Sequence, residues 1–399
     1  MKFDITQLCD VDIEVIDGDR GKNYPHQDEL FDSGYCLFLS AKNVTQNGFL
    51  FGDNQFITQE KDELLNNGNL IRGDIVITTR GTVGNVAIYS DDVPFDNIRI
   101  NSGMLIIRCG NNIDNYFLYQ VLRSKWFYNQ IISIQSGSAQ PQLPKSHFLK
   151  MTIPMPDMET QRKIAVVLSR LGDKISVNTA INENLEQQAQ AIFKSWFVDF
   201  EPFGGVMPED WRTGSLSEIC GYSKDKVNIE ALTLDTYYST ENMQPNRQGA
   251  VQATTLPTIK QTTACKKGNV LISNIRPYFK KIIYCFADCG CSTDVLCFVP
   301  NKSEYSAFLY CALYSDKFFD YMVAGSKGTK MPRGDKQQIM MYPICIPSTE
   351  YVEQFSKIVA PMFETVYTNR LEANDLAILR DTLLPKLMNG EIDVSKVKI

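Results

Sequence analysis

Residues 117–127 read FLYQVLRSKWF, and residues 308–318 read FLYCALYSDKF. Six of these eleven positions are identical, at a constant offset of 191 residues. Upstream, residues 73–77 and 268–272 match at an offset of 195, which small insertions explain. Self-similarity over so long a stretch indicates an internal duplication. Downstream, the offset of 191 continues without a gap through a series of identical pairs: Gly137 and Gly328, Pro141 and Pro332, Pro156 and Pro347, Glu159 and Glu350, Asn178 and Asn369, and Leu185 and Leu376.

Each half of the chain carries the same order of segments. A strand-and-turn-rich segment is followed by an amphipathic helix (about 116–131 and 305–322), a loop rich in Gly, Ser and Lys, and an extended strand flanked by proline. A long helix then begins after Asp157 or Ser348, residue types that favour helix N-termini. Because 399 residues exceed one compact core, we predict a mixed α/β (α+β) fold of four parts: a globular domain at 1–156, a long helix at 157–200, a second globular domain at 201–347 and a second long helix at 348–392.

Both long helices carry the 4-3 spacing of a coiled-coil seam. In the first helix the seam positions are Ile164, Leu168, Leu171, Ile175, Asn178, Asn182, Leu185, Ala189, Ile192 and Trp196. Shifted by 191 residues, the seam of the second helix is Phe355, Val359, Met362, Val366, Asn369, Ala373, Leu376, Arg380, Leu383 and Leu387. The simpler alternative is that each helix packs only on its own domain. Their matching length and register favour an antiparallel pair with a pseudo-two-fold axis.

Asn178 and Asn369 occupy equivalent positions of the two seams. A polar side chain in a seam costs stability, but it fixes the register because a slipped pairing leaves its amide without a partner. We therefore predict that these two asparagines lie near the middle of the antiparallel pair and set its register.

The net charge of −6 is unevenly distributed along the chain. Residues 1–32 hold nine acidic residues against three basic ones. Residues 260–281 hold six basic residues and residues 116–156 hold four, without an acid in either segment, and residues 325–336 hold four against Asp335 alone. Net charge by itself argues against a nucleic-acid partner, but the distribution is more informative. Basic loops at equivalent places in both halves favour a two-headed contact with DNA phosphates.

The candidate DNA-contacting residues lie at strand ends and in these loops. Arg80 follows a strand in a glycine-containing turn, and Arg276 is its approximate counterpart in the second half. Arginine binds phosphate or recognises guanine with two hydrogen bonds. For any single basic residue, the alternative is a solvated surface charge. The other candidates are polar or basic residues of the same segments: Asn85, Arg99, Ser136, Ser138, Gln140 and Lys145 in the first half, and Lys267, Asn274, Lys280, Lys281, Lys327, Thr329, Lys330 and Arg333 in the second.

Catalytic and metal-binding motifs are missing from the sequence. It has no GxxxxGK[ST] phosphate loop, no Asn/Asp-Pro-Pro-Tyr/Phe motif of amino-methylases and no Asp-x-Lys or Glu-x-Lys nuclease motif. Four of the eleven cysteines cluster without a CxxC pair, so reduced structural thiols are favoured over a metal site: Cys285, Cys289, Cys291 and Cys297. The chain start is unlike a signal peptide and no apolar run has membrane length, so we expect a soluble, cytoplasmic protein.

Short motifs accompany the long helices: PMP at 154–156, ETQRKIA at 159–165, LGDKI at 171–175, FKSWF at 193–197, PEDW at 208–211 and LLPKLMNGEI at 383–392. They closely resemble the conserved regions of specificity (S) subunits of type I restriction-modification systems, and the resemblance covers essentially the whole chain. It departs from the family pattern at Val352, where glutamine is usual.

The resemblance implies a non-catalytic subunit with two target-recognition domains, each reading one part of an asymmetric, bipartite DNA target, while the helices set the gap between the parts. It implies docking to modification (methyltransferase) subunits and to restriction/translocase subunits, which would use S-adenosylmethionine, ATP and Mg²⁺; this chain would need no cofactor. Gln187, Gln188 and the segment Phe193–Phe197 are candidate docking surfaces. Two alternatives stay open: a stand-alone or antirestriction-like DNA-binding module, and a structural coiled-coil scaffold.

Overall fold

The fold is taken from a computed structural model that describes residues 3–46, 48–135 and 142–398. The chain divides into two compact units. Unit 1 contains Met1–Ser176 together with Ala373–Ile399, and unit 2 contains Val177–Glu372. Each unit combines β-sheets with α-helices, so the predicted mixed class is confirmed.

The sheets of unit 1 consist of short strands. The strands are β1 (Ile5–Gln7), β2 (Ile13–Asp17), β3 (Cys36–Leu39), β4 (Val44–Thr45), β5 (Gly48–Phe49), β6 (Phe56–Ile57), β7 (Ile75–Thr78), β8 (Val86–Ile88), β9 (Ile98–Ile100), β10 (Met104–Cys109) and β11 (Thr152–Pro154). The short helices are α1 (Gln59–Leu64), α2 (Asn115–Leu122), α3 (Lys125–Gln135) and α4 (Lys145–Phe148). The strands form sheets in the orders β2-β10-β7-β8, β6-β3-β9, β1-β11 and β4-β5.

Unit 2 repeats much of this plan. Its strands are β12 (Arg212–Ser215), β13 (Cys220–Tyr222), β14 (Lys226–Asn228), β15 (Tyr237–Tyr238), β16 (Gln261–Cys265), β17 (Val270–Ser273), β18 (Ile282–Tyr284), β19 (Cys289–Cys291), β20 (Val295–Pro300) and β21 (Pro343–Ile346). Its short helices are α6 (Tyr305–Tyr314), α7 (Asp316–Ala324) and α8 (Lys336–Met340). The sheet orders are β13-β20-β17-β18, β14-β16-β19-β15 and β12-β21.

The duplication is visible in the sheets. In unit 1 the hairpin β7–β8 pairs with β10, and in unit 2 the hairpin β17–β18 pairs with β20, all antiparallel. The strands β7 and β17 are buried throughout, because both faces of each sheet are covered by apolar side chains. Each hairpin therefore projects its connecting loop from a rigid, buried strand pair.

The single amphipathic helix predicted in each half is two helices in the structure. The break falls at Ser124 in unit 1 and at Ser315 in unit 2. The Ser124 hydroxyl accepts a hydrogen bond from the Phe127 amide (3.0 Å), and the Ser315 hydroxyl accepts one from the Phe318 amide (3.2 Å). A serine that satisfies free amides at a helix start favours a new N-terminus over helix continuation.

The two long helices are α5 (Met158–Phe197) and α9 (Thr349–Met388). All twenty predicted seam side chains are buried or half-buried. In unit 1, Ile164 and Leu168 share a core with Leu384 and Leu387. This arrangement confirms the predicted seam, in which apolar residues every three or four positions face the partner helix.

In unit 2 the two helix segments run antiparallel. Asn178 lies beside the backbone of Asn369, whereas Phe193 packs on Phe355 with ring centroids 6.0 Å apart. Phe193 and Phe197 are buried in the core of this unit. The expectation that the segment Phe193–Phe197 is an exposed docking surface is therefore wrong for these two rings. They pack, tilted or edge-to-face, in an aromatic cluster with Phe308 and Phe355.

The clustered cysteines lie in the core of unit 2. Cys285, Cys289, Cys291 and Cys297 are buried together with Cys265 among apolar side chains. Cys289 Sγ lies 3.6 Å from Cys285 Sγ. In the part of the chain that the structure describes, no group of three or more potential ligands has the geometry of a metal site, and no helix is long and apolar enough to span a membrane.

Candidate nucleic-acid interface

The hairpin loop of unit 2, residues 274–281, has a backbone that is held in an unusual conformation. Arg276 (φ 50°) and Lys280 (φ 51°) are both left-handed. For residues with a β-carbon this region costs about 1–2 kcal/mol each. It persists because the loop is clamped: the amides of Asn246 and Arg247, themselves left-handed, donate to the carbonyls of Phe279 (2.8 Å) and Lys280 (3.0 Å). Such strain, when fixed by its surroundings, is a recurrent property of ligand-contacting segments.

This hairpin loop is joined to the second basic loop, 325–336. The Arg276 amide donates to the Pro332 carbonyl (2.8 Å), and the Gly334 amide donates to the Asn274 carbonyl (3.3 Å). Ile275 and Arg333 form a β-bridge between the loops. The fold thus brings together the two basic stretches that the sequence analysis selected separately.

Most cations of this surface already have an acidic partner. The pairs are Lys327 with Asp335 (2.6 Å), Arg333 with Asp294 (3.0 Å) and Lys280 with Asp316 (2.6 Å), and at the opposite end of β17 Lys267 pairs with Glu364 (2.8 Å). In each pair at least one side chain is exposed to solvent, and exposed ion pairs contribute little to the stability of the fold. They hold the cations in place but partly cancel their attraction for phosphate.

Arg276 and Lys330 differ from these paired cations. Within the described residues, neither has a carboxylate partner. The Arg276 Nε is buried without a hydrogen-bond acceptor, and one of its terminal nitrogens reaches only the Lys330 carbonyl at 3.5 Å. Lys330 and Thr329 are exposed at the tip of the neighbouring loop. Arg276 therefore lies at the junction of the two loops, half-buried and without a carboxylate partner among the described residues.

Two other candidates in unit 2, Asn274 and Lys281, are buried or half-buried. Asn274 is only 7% exposed, and its Oδ1 is buried against the position that a β-carbon on Gly334 would take. Its predicted role in contacting DNA is wrong, because the close approach of the two loops covers the amide. Lys281 donates to the Thr240 carbonyl (2.6 Å), and burial lowers the pKa of its ammonium group. Lys281 therefore supports the loop, whereas Asn274 Oδ1 is buried without a hydrogen-bond donor among the described residues.

In the equivalent hairpin loop of unit 1, residues 79–85, the left-handed positions are occupied by glycine, whereas in unit 2 they are occupied by Arg276 and Lys280. Gly81 (φ 73°) and Gly84 (φ 91°) occupy left-handed positions that favour glycine. The Leu143 amide donates to the Thr79 carbonyl (3.0 Å), so this loop also joins the downstream loop of its own unit. Arg80 is exposed, and within the described residues it has no carboxylate partner. Arg80 and Arg276 thus lie in corresponding hairpin loops, and within the described residues neither guanidinium has a carboxylate partner.

Three further candidates in unit 1 have structural partners. Arg99 is 2% exposed; its Nε donates to Asp62 Oδ1 (2.7 Å) and its other nitrogens to the carbonyls of Asp62 and Asn67. Its assignment as a DNA contact is wrong, because β9 points this side chain into the interior. Asn85 Nδ2 donates to the Val44 carbonyl (2.9 Å), and the exposed Lys145 donates to a backbone carbonyl in β2 (2.6 Å). Ser136, Ser138 and Gln140 lie outside the described residues.

The register asparagines meet as the sequence analysis proposed, but the side chains that satisfy them were missed. Asn178 is 1% exposed and donates to Glu372 Oε2 (2.8 Å), whereas Asn369 donates to Asn182 Oδ1 (3.0 Å). Glu372 lies outside the seam pattern. Its only sequence signal is its position three residues after Asn369, one helical turn along the same face.

A family model matches the first part of the chain. Residues 1–187 match the Type I restriction modification DNA specificity domain. This range includes all of the strands of unit 1 and most of α5.

Relatives and a solved structure extend the similarity over the whole chain. The type I restriction enzyme MjaIX specificity subunit of Methanocaldococcus jannaschii is 27% identical over 82% of this chain and 79% of its own. The HindI specificity subunit of Haemophilus influenzae is 24% identical over 94% of this chain and 98% of its own. The crystal structure of a type I restriction-modification S subunit from M. genitalium has a similar fold, with a TM-score of 0.63 at 16% identity over 97% of this chain and 96% of that chain.

The sequence motifs, the duplicated fold and these comparisons agree. Residues 1–187 therefore match a type I DNA specificity domain, and most of the chain is similar to the specificity subunits of type I restriction-modification systems, which are non-catalytic DNA-recognition components.

Proposed function

We propose that each unit of this chain reads one part of an asymmetric, bipartite DNA target through its hairpin loop. The observation that carries the proposal is the pair of corresponding loops, each joined to a downstream loop. Each loop presents an arginine that has no carboxylate partner among the described residues, Arg80 in unit 1 and Arg276 in unit 2. Guanidinium groups at such positions bind phosphate or the major-groove edge of guanine. Because the two loops differ in sequence and backbone conformation, we expect the two half-targets to differ.

The long helices are the proposed frame and partner surface. In unit 2, Val177, Ile181 and Leu371 are exposed apolar residues on α5 and α9, and Gln187 and Gln188 are exposed further along α5. Exposed apolar residues on a paired helix suit the helices of another subunit. We propose that modification subunits dock here, with restriction/translocase subunits joining the assembled complex, and that helix length sets the number of base pairs between the half-targets.

The chemistry of the complex is assigned to the partners. The notable sequence features of this chain are recognition loops and long helices. Methyl transfer and translocation need S-adenosylmethionine, ATP and Mg²⁺, and we assign these cofactors and both reactions to the modification and restriction subunits. A subunit that reads chromosomal DNA would act in the cytoplasm.

Co-expression with the methyltransferase subunit of the same system, followed by mapping of methyladenine positions in the host DNA, tests the proposal. We expect stable co-purification and methylation at a sequence of two different half-targets separated by a fixed gap. Loss of binding with rising salt is expected because phosphate contacts release counterions. Failure to co-purify would support a stand-alone module or a scaffold, and DNA binding that is absent or insensitive to salt would exclude the DNA-reading function.

A further inference from the structure

The hairpin loop of unit 2 exposes two adjacent aromatic rings. Tyr278 is 48% exposed and Phe279 is 38% exposed, and their ring centroids are 4.8 Å apart. Isolated exposed apolar side chains are common on protein surfaces and need no explanation. Two exposed rings that pack together in a clamped loop are unusual in this unit, because most of its large aromatic side chains lie in the core.

The backbone below the rings is rigid. Pro277 is buried, and the residues on either side of the Pro277–Phe279 turn, Arg276 and Lys280, are left-handed. The carbonyls of Phe279 and Lys280 accept hydrogen bonds from the segment that contains Arg247. Rings that are held in place lose little conformational entropy when they contact a ligand.

Arg247 anchors this clamp to helices α6 and α7. Its guanidinium donates to the Tyr314 carbonyl (2.7 Å) and to Asp316 Oδ1 (2.5 Å), and Asp316 also binds Lys280 (2.6 Å). One carboxylate therefore ties both left-handed segments to the body of the unit. The contacts fix where the two rings project.

The surroundings of the rings are cationic. In sequence the rings lie between Arg276 on one side and Lys280 and Lys281 on the other, and Lys281 Nζ lies 5.9 Å from the centroid of the Phe279 ring. An exposed aromatic pair framed by cations is complementary to nucleic acid, in which anionic phosphates surround the planar, apolar faces and edges of the bases. The corresponding loop of unit 1, TRGTVGN at 79–85, carries no aromatic residue.

We propose that Tyr278 and Phe279 form an apolar contact with base pairs of the half-target read by unit 2, so that this half-target is recognised partly through aromatic rings and the other half-target is not. The inference rests on the proposed DNA-reading function and adds specificity-determining residues to it. Aromatic side chains contact thymine methyl groups in the major groove or insert between base steps in the minor groove. Both modes depend on the rings and not on charge.

The test compares Tyr278→Ser, Phe279→Ser and the double variant with the wild type, each in the complex assembled with the methyltransferase subunit. Affinity for the cognate duplex is measured as a function of salt concentration. We expect the double variant to bind about 5- to 150-fold more weakly, the range for loss of one base–aromatic contact, with an unchanged dependence on salt because no cation is removed. Base substitutions in the half-target of unit 2 should be discriminated less, and those in the other half-target as before.

Val206→Ser is the matched control, because it also replaces an exposed apolar side chain of unit 2, at a site outside the hairpin. Co-purification and the unfolding midpoint report on folding of every variant. Affinity within twofold of the wild type for the double variant, in an intact complex, would overturn the aromatic contact. If the wild-type complex itself shows no salt-dependent, sequence-specific binding, then the proposed function fails first, and the two failures are distinguishable.

Discussion

Asn178 and Asn369, the same position of the internal repeat 191 residues apart, meet in the structure: Asn178 Nδ2 lies 3.4 Å from the Asn369 carbonyl oxygen. The pair is nevertheless asymmetric. Asn178 donates to Glu372, and Asn369 donates to Asn182. Asymmetry follows from the sequence, because at the offset of 191 Glu372 corresponds to Ile181 and Asn182 to Ala373. The two asparagines are duplicated, but their partners are not.

Replacing Asn178 with leucine should raise the thermal stability of the protein. Asn178 Oδ1 is buried without a hydrogen-bond donor, and a buried unsatisfied polar atom costs about 1–3 kcal/mol. Glu372 is exposed, so water can replace the contact with Asn178. We expect the unfolding midpoint of Asn178→Leu to rise by about 2–4 °C in calorimetry.

The same change on the solvent-exposed side of the helix is the control. Asn184 is exposed on α5, and Asn184→Leu should leave the midpoint unchanged. A lower midpoint for Asn178→Leu would mean that the amide contributes net stability, and this result would count against a role confined to register.

The sequence predicted the frame of this molecule better than its surface. The repeat and the 4-3 spacing located both long helices and every seam position, because a buried seam tolerates few residue types and leaves a periodic pattern. The helix breaks at Ser124 and Ser315 were missed since the apolar periodicity continues across them, and only the hydroxyl caps reveal the interruption.

The candidate site was predicted in outline, but not residue by residue. Composition selected the two basic stretches of unit 2, and the fold joins them. Composition does not show whether a side chain points outward, however, and Arg99 and Asn274 are buried. Nor does it show which cations are neutralised: Lys327 and Arg333 are paired, whereas Arg276 is not. These distinctions depend on contacts between segments that are distant in sequence.

Arg99 should be required for the stability of unit 1 and not directly for DNA binding. It forms a buried ion pair with Asp62 and donates to two backbone carbonyls. Arg99→Met keeps the length of the side chain but leaves these acceptors without donors, and breaking a buried pair costs about 3–5 kcal/mol. Urea unfolding measures this loss. The exposed pair of Arg20 and Asp17 provides the control, since Arg20→Met should change stability by less than about 1 kcal/mol. A stable Arg99→Met protein with impaired DNA binding would contradict the structural role.

Asp316 should make the stability of the hairpin clamp depend on pH. Hydrogen bonds from Arg247, and then from Lys280, lower the pKa of Asp316 from 3.8 to about 2. Because the folded pKa is depressed, the stabilisation is complete above the unfolded pKa and is lost as the pH falls from about 4 to about 2. Urea unfolding of the wild type and Asp316→Asn over this range should show a difference that shrinks with falling pH. A difference that is constant or grows at low pH would show that Asp316 does not act through its charge.

Arg80 and Arg276 should each control a different half-target. Either guanidinium contributes two hydrogen bonds to guanine, worth about 1–3 kcal/mol, or a phosphate contact, whose loss lowers the slope of log K against log salt by about 0.9. Arg276→Ala should therefore reduce methylation at adenines of the half-target read by unit 2, and Arg80→Ala should act on the other half-target. Both variants should assemble normally, because neither side chain has a carboxylate partner among the described residues.

Arg212→Ala removes an exposed arginine of unit 2 that is paired with Glu218, and it should leave methylation and the salt dependence unchanged. If Arg276→Ala prevents co-purification with the methyltransferase subunit instead, then this hairpin lies on the partner-binding side of unit 2 and does not face the DNA.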